Sequence, residues 1–112
     1  MNGAITLAPY RVLEEKQKDF FEVVKNKRKY FLQAGYITPR PALLLQSKID
    51  KNVLIEIFEW TSEKHCEDAH SDKKVQEYWN KMDELWEDGG FGLNTIKESE
   101  MKFAHFDPID IY

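Results

Sequence analysis

Residues 41–60, PALLLQSKIDKNVLIEIFEW, constrain the fold more than any other part of the chain. Two runs rich in branched and aromatic side chains are separated only by the polar link Asp50-Lys51-Asn52, which predicts adjacent antiparallel strands joined as a hairpin. Helical patterns flank this hairpin. Before it, Phe20, Phe21, Val24 and Phe31, extended back to Leu13, fall on one face of a helix over 14–34, with Lys and Arg residues on the other face as a solvated surface and Gly35 as the stop. Ahead of that helix, the apolar run from Ala4 to Val12 predicts a first strand ending near Leu13, and Pro9 assigns it to an edge or a bulge. After the hairpin, Thr61 and Ser62 can cap a short helix through about Ala69, and Ser71 or Asp72 can cap a second. In that second helix Val75, Tyr78, Trp79, Met82, Leu85 and Trp86 recur at spacings of three and four until Gly89-Gly90. A loop from Phe91 to Ser99 leads to MKFAHF, residues 101–106, whose alternation predicts a last strand closed by Pro108.

The order strand, helix, strand, strand, helix pair, strand is the split βαβ arrangement of a ferredoxin-like α+β domain, with an antiparallel four-stranded sheet and helices on one face, spanning 1–112 as a single unit. In the third strand Val53, Ile55 and Ile57 share one face and suit the helices. Leu54, Glu56, Phe58 and Trp60 share the other. That second face is too apolar for water, so the expectation is that a second copy of the chain covers it in a homodimer, with a cavity between the two sheets.

Composition narrows the partners. Sixteen basic against twenty acidic side chains, a net charge of −4, oppose nucleic acid or an anionic membrane as the main partner. The single cysteine cannot form an internal disulfide, so a reducing cytoplasm is the default compartment. The start, MNGAITLAPYRVLEEK, has no basic region before its short apolar run, and no apolar segment approaches the ~20 residues of a membrane span, so a soluble protein is expected.

The strand ending in Trp60, the helix start at Ser62 and Glu63, and His70 ten residues after the tryptophan resemble the antibiotic biosynthesis monooxygenase domain family, with the hairpin and flanking helices in matching order. The resemblance covers most of the chain. It implies a dimeric α/β barrel with a ligand pocket in each subunit between sheet and helices, in a superfamily that includes cofactor-independent oxygenases of polycyclic phenols and haem-degrading enzymes. Some positions depart from the family pattern. Phe58 stands where an acidic residue is frequent, two before the tryptophan, and the acids here are Glu56 and Glu59. The haem-degrading branch is less similar: Ala8 and Pro9 occupy the early-strand position of its Asn, Ala69 that of its Trp, and Tyr78 and Trp79 lie where its haem-ligating His would be. No haem site and no other cofactor is implied.

The segment FEWTSEKHCEDAH, residues 58–70, concentrates the chemistry-bearing side chains. Cys66 and His70 are four apart and share a helical face, but no CxxC or HxxxH pair completes a zinc set, and Glu67 and Asp68 give the thiol no push toward thiolate. Cys66 is read as a buried structural residue. His70 is a catalytic candidate, as base or proton relay near the end of the third strand, with a backbone-bonded histidine as the alternative. Glu56, Phe58, Trp60, Tyr78 and Trp79 are the substrate-binding candidates. For Glu56 the alternative is a charge pair with Lys48 or Lys102, and for the aromatic stripe it is the core. The glycines of DGGFGLN lack a following Lys-Ser/Thr and form a loop. Two functions remain: a cofactor-independent oxygenase of an aromatic substrate, or a dimeric small-molecule binding or scaffolding protein without chemistry.

Overall fold

The computed structural model describes residues 4–112. Its elements are β1 (Ile5–Arg11), α1 (Glu14–Ala34), β2 (Leu43–Ser47), β3 (Val53–Glu59), α2 (Glu63–His70), α3 (Lys73–Leu85), two short 3-10 turns (Leu93–Thr95 and Lys97–Glu100) and β4 (Phe106–Pro108). The sheet is antiparallel throughout and ordered β1-β3-β2-β4, so β3 lies between the two strands that α1 connects. This is the expected split βαβ core of a ferredoxin-like α+β fold. Pro9 sits on an edge strand, where its missing N–H leaves no ladder bond unmade. Gly35 ends α1 at φ 78°, a conformation that a side chain would strain.

The faces of β3 are the reverse of the sequence expectation. Leu54, Glu56 and Phe58 point toward the helices, where Leu54 joins Phe20, Val24 and Met82, and Phe58 and Trp60 join Phe31 and Val75. Val53 and Ile55 pack on the opposite side against Ile96. The physical reason is Glu56. Between two apolar faces, a carboxylate reads as the mark of the outer one, but its partner is Lys27 on α1, so the polar residue belongs inside. Lys27 in turn continues the stripe Phe20, Val24, Lys27, Phe31 along the buried face of α1 and does not lie on the solvated face with the other cations.

Two boundaries also move. Helix α3 stops at Leu85, short of the glycine pair, because the chain turns extended at Trp86 and Glu87 N–H donates to the Arg11 carbonyl at 2.8 Å. Gly90 follows closely against the outer edge of β1, accepting from Arg11 N–H at 2.8 Å, and a Cβ there would stand 2.8 Å from the Glu87 carbonyl oxygen. The chain then passes behind the sheet, with Ile96 buried on Val53 and Ile55 and the Ser47 hydroxyl bonded to the Glu98 carboxylate. The last strand is accordingly Phe106–Pro108 beside β2. Residues 101–105 are not a strand, for pairing begins only where Lys48 N–H meets the His105 carbonyl and Ser47 comes opposite Phe106. Pro108 is the last residue of that edge strand, as expected.

Asp72 is the cap of α3, as one of the two expected candidates, and it also ties that helix to α1. Its Oδ1 accepts from Lys74 N–H at 2.8 Å, while its Oδ2 accepts from the hydroxyls of Tyr30 at 2.7 Å and Tyr36 at 2.6 Å. The phenol bonds hold the Asp72 carboxyl below its usual 3.8, and the same carboxylate pushes Tyr36 up from 10.0 to about 12. A lowered acid stabilises the fold above its ordinary value, and that contribution is lost as pH falls through the folded-state value. A raised phenol does the opposite, contributing fully below pH 10.0 and losing the contribution as pH rises to about 12. Tyr36→Phe is therefore expected to lower Tm between these limits and to flatten both its acid and alkaline limbs, as a calorimetric pH series would show. Unchanged limbs would mean that the cluster does not couple the helices.

Candidate functional site

A cavity of about 530 Å³ opens between the helix-facing side of the sheet and helices α2 and α3. Its inner wall comes from residues that the sheet and α1 bury: Ala8 and Tyr10 of β1, Phe58 and Trp60 at the end of β3, and Lys27 of α1. Its rim is exposed and comes from His70 of α2, Asn80 and Asp83 of α3, and Phe91.

Alternation in β1 and β3 builds the wall. Ala8 faces Glu56 and Thr6 faces Phe58 across the antiparallel register, so Thr6, Ala8 and Tyr10 share the helix-facing side with Phe58 and Trp60. Trp60 is fixed at both ends of its residue: its backbone N–H donates to the Ala4 carbonyl at 3.0 Å, and its indole N–H donates to Thr6 Oγ1 at 2.8 Å. Its ring stands 5.2 Å from that of Phe58 and 5.7 Å from that of Phe31. Tyr10, Trp86 and Phe91 stack with centroids 5.0 to 5.4 Å apart, linking the inner wall to the rim.

At the inner end lies an ion pair that sequence reasoning missed. Lys27 Nζ is 2.8 Å from both carboxylate oxygens of Glu56, and the Tyr10 hydroxyl donates to Glu56 Oε1 at 2.9 Å. Side-chain exposure of the pair is 2% and 3%, so the charges are compensated by each other and not by solvent. The ammonium also lies 5.3 and 5.1 Å from the ring centroids of Phe31 and Phe58. Burial, then the Glu56 charge, pushes the Tyr10 phenol well above 10.0, which keeps it a neutral donor. Neither Lys48 nor Lys102 meets Glu56, and Lys48 is bonded to Asp107. A sequence signal was present, since Lys27 falls at spacings of three and four from Val24 and Phe31.

His70 borders the cavity with its ring 5.0 Å from that of Trp79. Its Nδ1 is 2.7 Å from the Cys66 carbonyl. A carbonyl only accepts, so Nδ1 carries the proton and the neutral ring keeps its Nε2 lone pair free. Cys66 also lines the cavity, but burial first and Glu67 second push its thiol up, away from the thiolate form. The two residues meet through the cysteine's backbone oxygen. His65 turns elsewhere, its Nδ1 2.7 Å from the hydroxyl of Ser62, which caps α2. Among the described residues, no group of three or more His, Cys, Asp and Glu converges as a metal set would, and no helix is long and apolar enough to cross a membrane.

The structure thus brings Phe58, Trp60, Trp79 and His70 to one cavity. Glu56 stands behind the wall and touches it through Lys27 and Tyr10. Tyr78 is not brought there: its ring packs 6.1 Å from that of Tyr30, between α3 and α1.

No family model matches the sequence, and no curated protein matches it significantly. Two solved structures share its architecture. A conserved protein from Methanosarcina mazei Go1 is similar over 97% of this chain and 92% of its own, with a TM-score of 0.66 at 15% identity. A conserved protein of unknown function from Bacteroides thetaiotaomicron VPI-5482, described as a "possible oxidoreductase", is similar over 78% of this chain and 92% of its own, with a TM-score of 0.63 at 18% identity. At these identities the likeness is one of fold: a ferredoxin-like α+β chain with a four-stranded antiparallel sheet.

Proposed function

We propose that the cavity binds a small aromatic or hydrophobic molecule and that the protein is a cofactor-independent oxygenase of the antibiotic biosynthesis monooxygenase type. The observation that carries this reading is the histidine at the mouth of an apolar cavity, with Nδ1 tied to the Cys66 carbonyl and Nε2 without a partner among the described residues. In the reaction, His70 removes the proton of a substrate hydroxyl, and the electron-rich anion passes electrons to O₂: one oxygen atom bonds to a ring carbon, which loses its hydrogen, and the other leaves as water, so that a phenol becomes a quinone. Trp60 and Trp79 hold the ring, and the protein supplies position and electrostatics. The "possible oxidoreductase" description of the Bacteroides neighbour agrees in class.

The test is oxygen uptake with a series of dihydroxynaphthalenes and hydroxyanthrones. His70→Ala is expected to lower turnover ~10²-fold or more, with Tm little changed because the ring is exposed. The same helix-internal bond to Cys66 also favours a second reading, a binding protein in which His70 only secures the end of α2. Ligand binding by the wild type without oxygen uptake would select it.

The partner in this reading is a second copy of the chain, on the face opposite the helices. There Leu7, Ile57 and Leu43 form one cross-strand row, and Ile5, Leu7 and Leu43 are 59%, 45% and 48% exposed beyond the part that Ile96 covers. Sheet-to-sheet packing of two copies buries this row. Leu7→Asp is expected to convert dimer to monomer in sedimentation without unfolding the chain. A monomeric wild type would refute the dimer.

A further inference from the structure

The Lys27–Glu56–Tyr10 cluster has no part in the oxygenase step above, yet two of its members border the cavity. An ammonium has three protons. Two of them are directed at Glu56 Oε1 and Oε2, each 2.8 Å away, and among the described residues no other acceptor meets Lys27 Nζ. Around it are rings: Phe31 and Phe58 have their centroids 5.3 and 5.1 Å from the ammonium, and Phe58, Trp60 and Trp79 line the same cavity. Tyr10 donates its one proton to Glu56, so its oxygen has lone pairs free to accept. The inner end therefore offers one N–H donor and one phenol oxygen within an otherwise apolar enclosure.

The charges decide what fits. Lys27 and Glu56 sum to zero, and both are almost wholly removed from water. A third charge brought beside them would have no counter-ion, and burying an uncompensated ion is costly. A neutral oxygen adds none: a carbonyl accepts from the ammonium, and a hydroxyl can accept from it while donating to the Tyr10 oxygen. We propose that Lys27, held by Glu56 and Tyr10, recognises a neutral hydroxyl or carbonyl oxygen of the bound molecule, distinct from the hydroxyl that meets His70, and makes the pocket selective against carboxylates. The inference rests on the small-molecule reading of the cavity and names the chemical class that reading leaves open.

Three probes of similar shape separate the two claims: naphthalene, 1-naphthol and 1-naphthoate, titrated against the wild type with the indole resonances of Trp60 and Trp79 followed by NMR. Naphthalene reports the apolar enclosure alone. A hydrogen bond to a charged group in a site closed to water predicts that 1-naphthol binds about 10- to 100-fold more tightly than naphthalene, and that 1-naphthoate binds more weakly than either. In the charge-neutral double variant Lys27→Met/Glu56→Gln, which keeps an acceptor for Tyr10, the preference for 1-naphthol over naphthalene is expected to fall to within about 3-fold while naphthalene affinity is retained. Equal affinities of naphthalene and 1-naphthol in the wild type would overturn the assignment of Lys27 and leave the cavity standing. Tightest binding by 1-naphthoate would also overturn it, because the site would then be an anion receptor. Binding of none of the three would sink both the inference and the pocket on which it rests.

Discussion

Lys27→Met is expected to cost about 3–5 kcal/mol of folding stability, because it removes one partner of a buried pair and leaves the other charge without compensation. Against the ~5–15 kcal/mol that holds a domain of this kind together, that loss moves the urea midpoint far down. The stem of the side chain is not the reason. Methionine matches its length and apolar character, so packing against Phe31 and Phe58 is largely kept, and what disappears is the ammonium 2.8 Å from both Glu56 oxygens. Glu56 then retains only the Tyr10 hydroxyl. Changing Glu56 to Gln in the same chain removes the stranded charge, so the double variant is expected to recover most of the loss, and the cycle of four proteins measures the coupling directly. Should the single variant unfold within about 1 kcal/mol of the wild type, water reaching the pair through the cavity would be screening it, and the closed inner end described here would be wrong.

The same pair explains how far the sequence could be read. Strand and helix order was legible because each element carries its own period: two for the hairpin strands, three and four for the helices, with Gly35 and Asp72 as end signals that act locally. What lay beyond local reading was which neighbour each face would meet. Both sides of β3 are apolar, so alternation separates Val53 and Ile55 from Leu54 and Phe58 without saying which pair faces α1. The answer lay 29 residues away, in a lysine at a core position of α1. The last strand failed for a related reason. Met101, Phe103 and His105 alternate with their neighbours, but a strand needs a partner edge, and the chain reaches β2 only after it has crossed behind the sheet. At the site, Trp60, Phe58, Trp79 and His70 were legible from type and position and do share a cavity. Lys27 and Tyr10 were not, since a cation in a helix and a tyrosine after a proline read as ordinary surface and strand residues until the sheet register sets them beside Glu56.

Phe31→Ala is expected to produce a comparable loss, about 3–5 kcal/mol, the range for removing a buried aromatic ring. The ring is 1% exposed and packs in one core cluster with Ile37, Phe58, Trp60 and Val75. Tyr36, Trp60, Phe58 and Trp79 surround it with centroids 5.9, 5.7, 6.4 and 6.4 Å away. It stands behind the cavity wall, not in it, and three of those neighbours are wall residues. Truncation would leave a void that only Phe58, Trp60 and Trp79 separate from the existing space, and if they relax inward the two become one larger apolar chamber. Apolar voids of this kind stay dry and take up apolar guests. The variant should therefore be destabilised in urea yet bind an apolar probe such as naphthalene at least as well as the wild type, and saturating probe should raise its Tm by more, in proportion to the logarithm of concentration over Kd. Loss of stability together with loss of probe binding would instead mean that the wall collapses when Phe31 is removed. In that case the ring, and not the sheet register, keeps the cavity open.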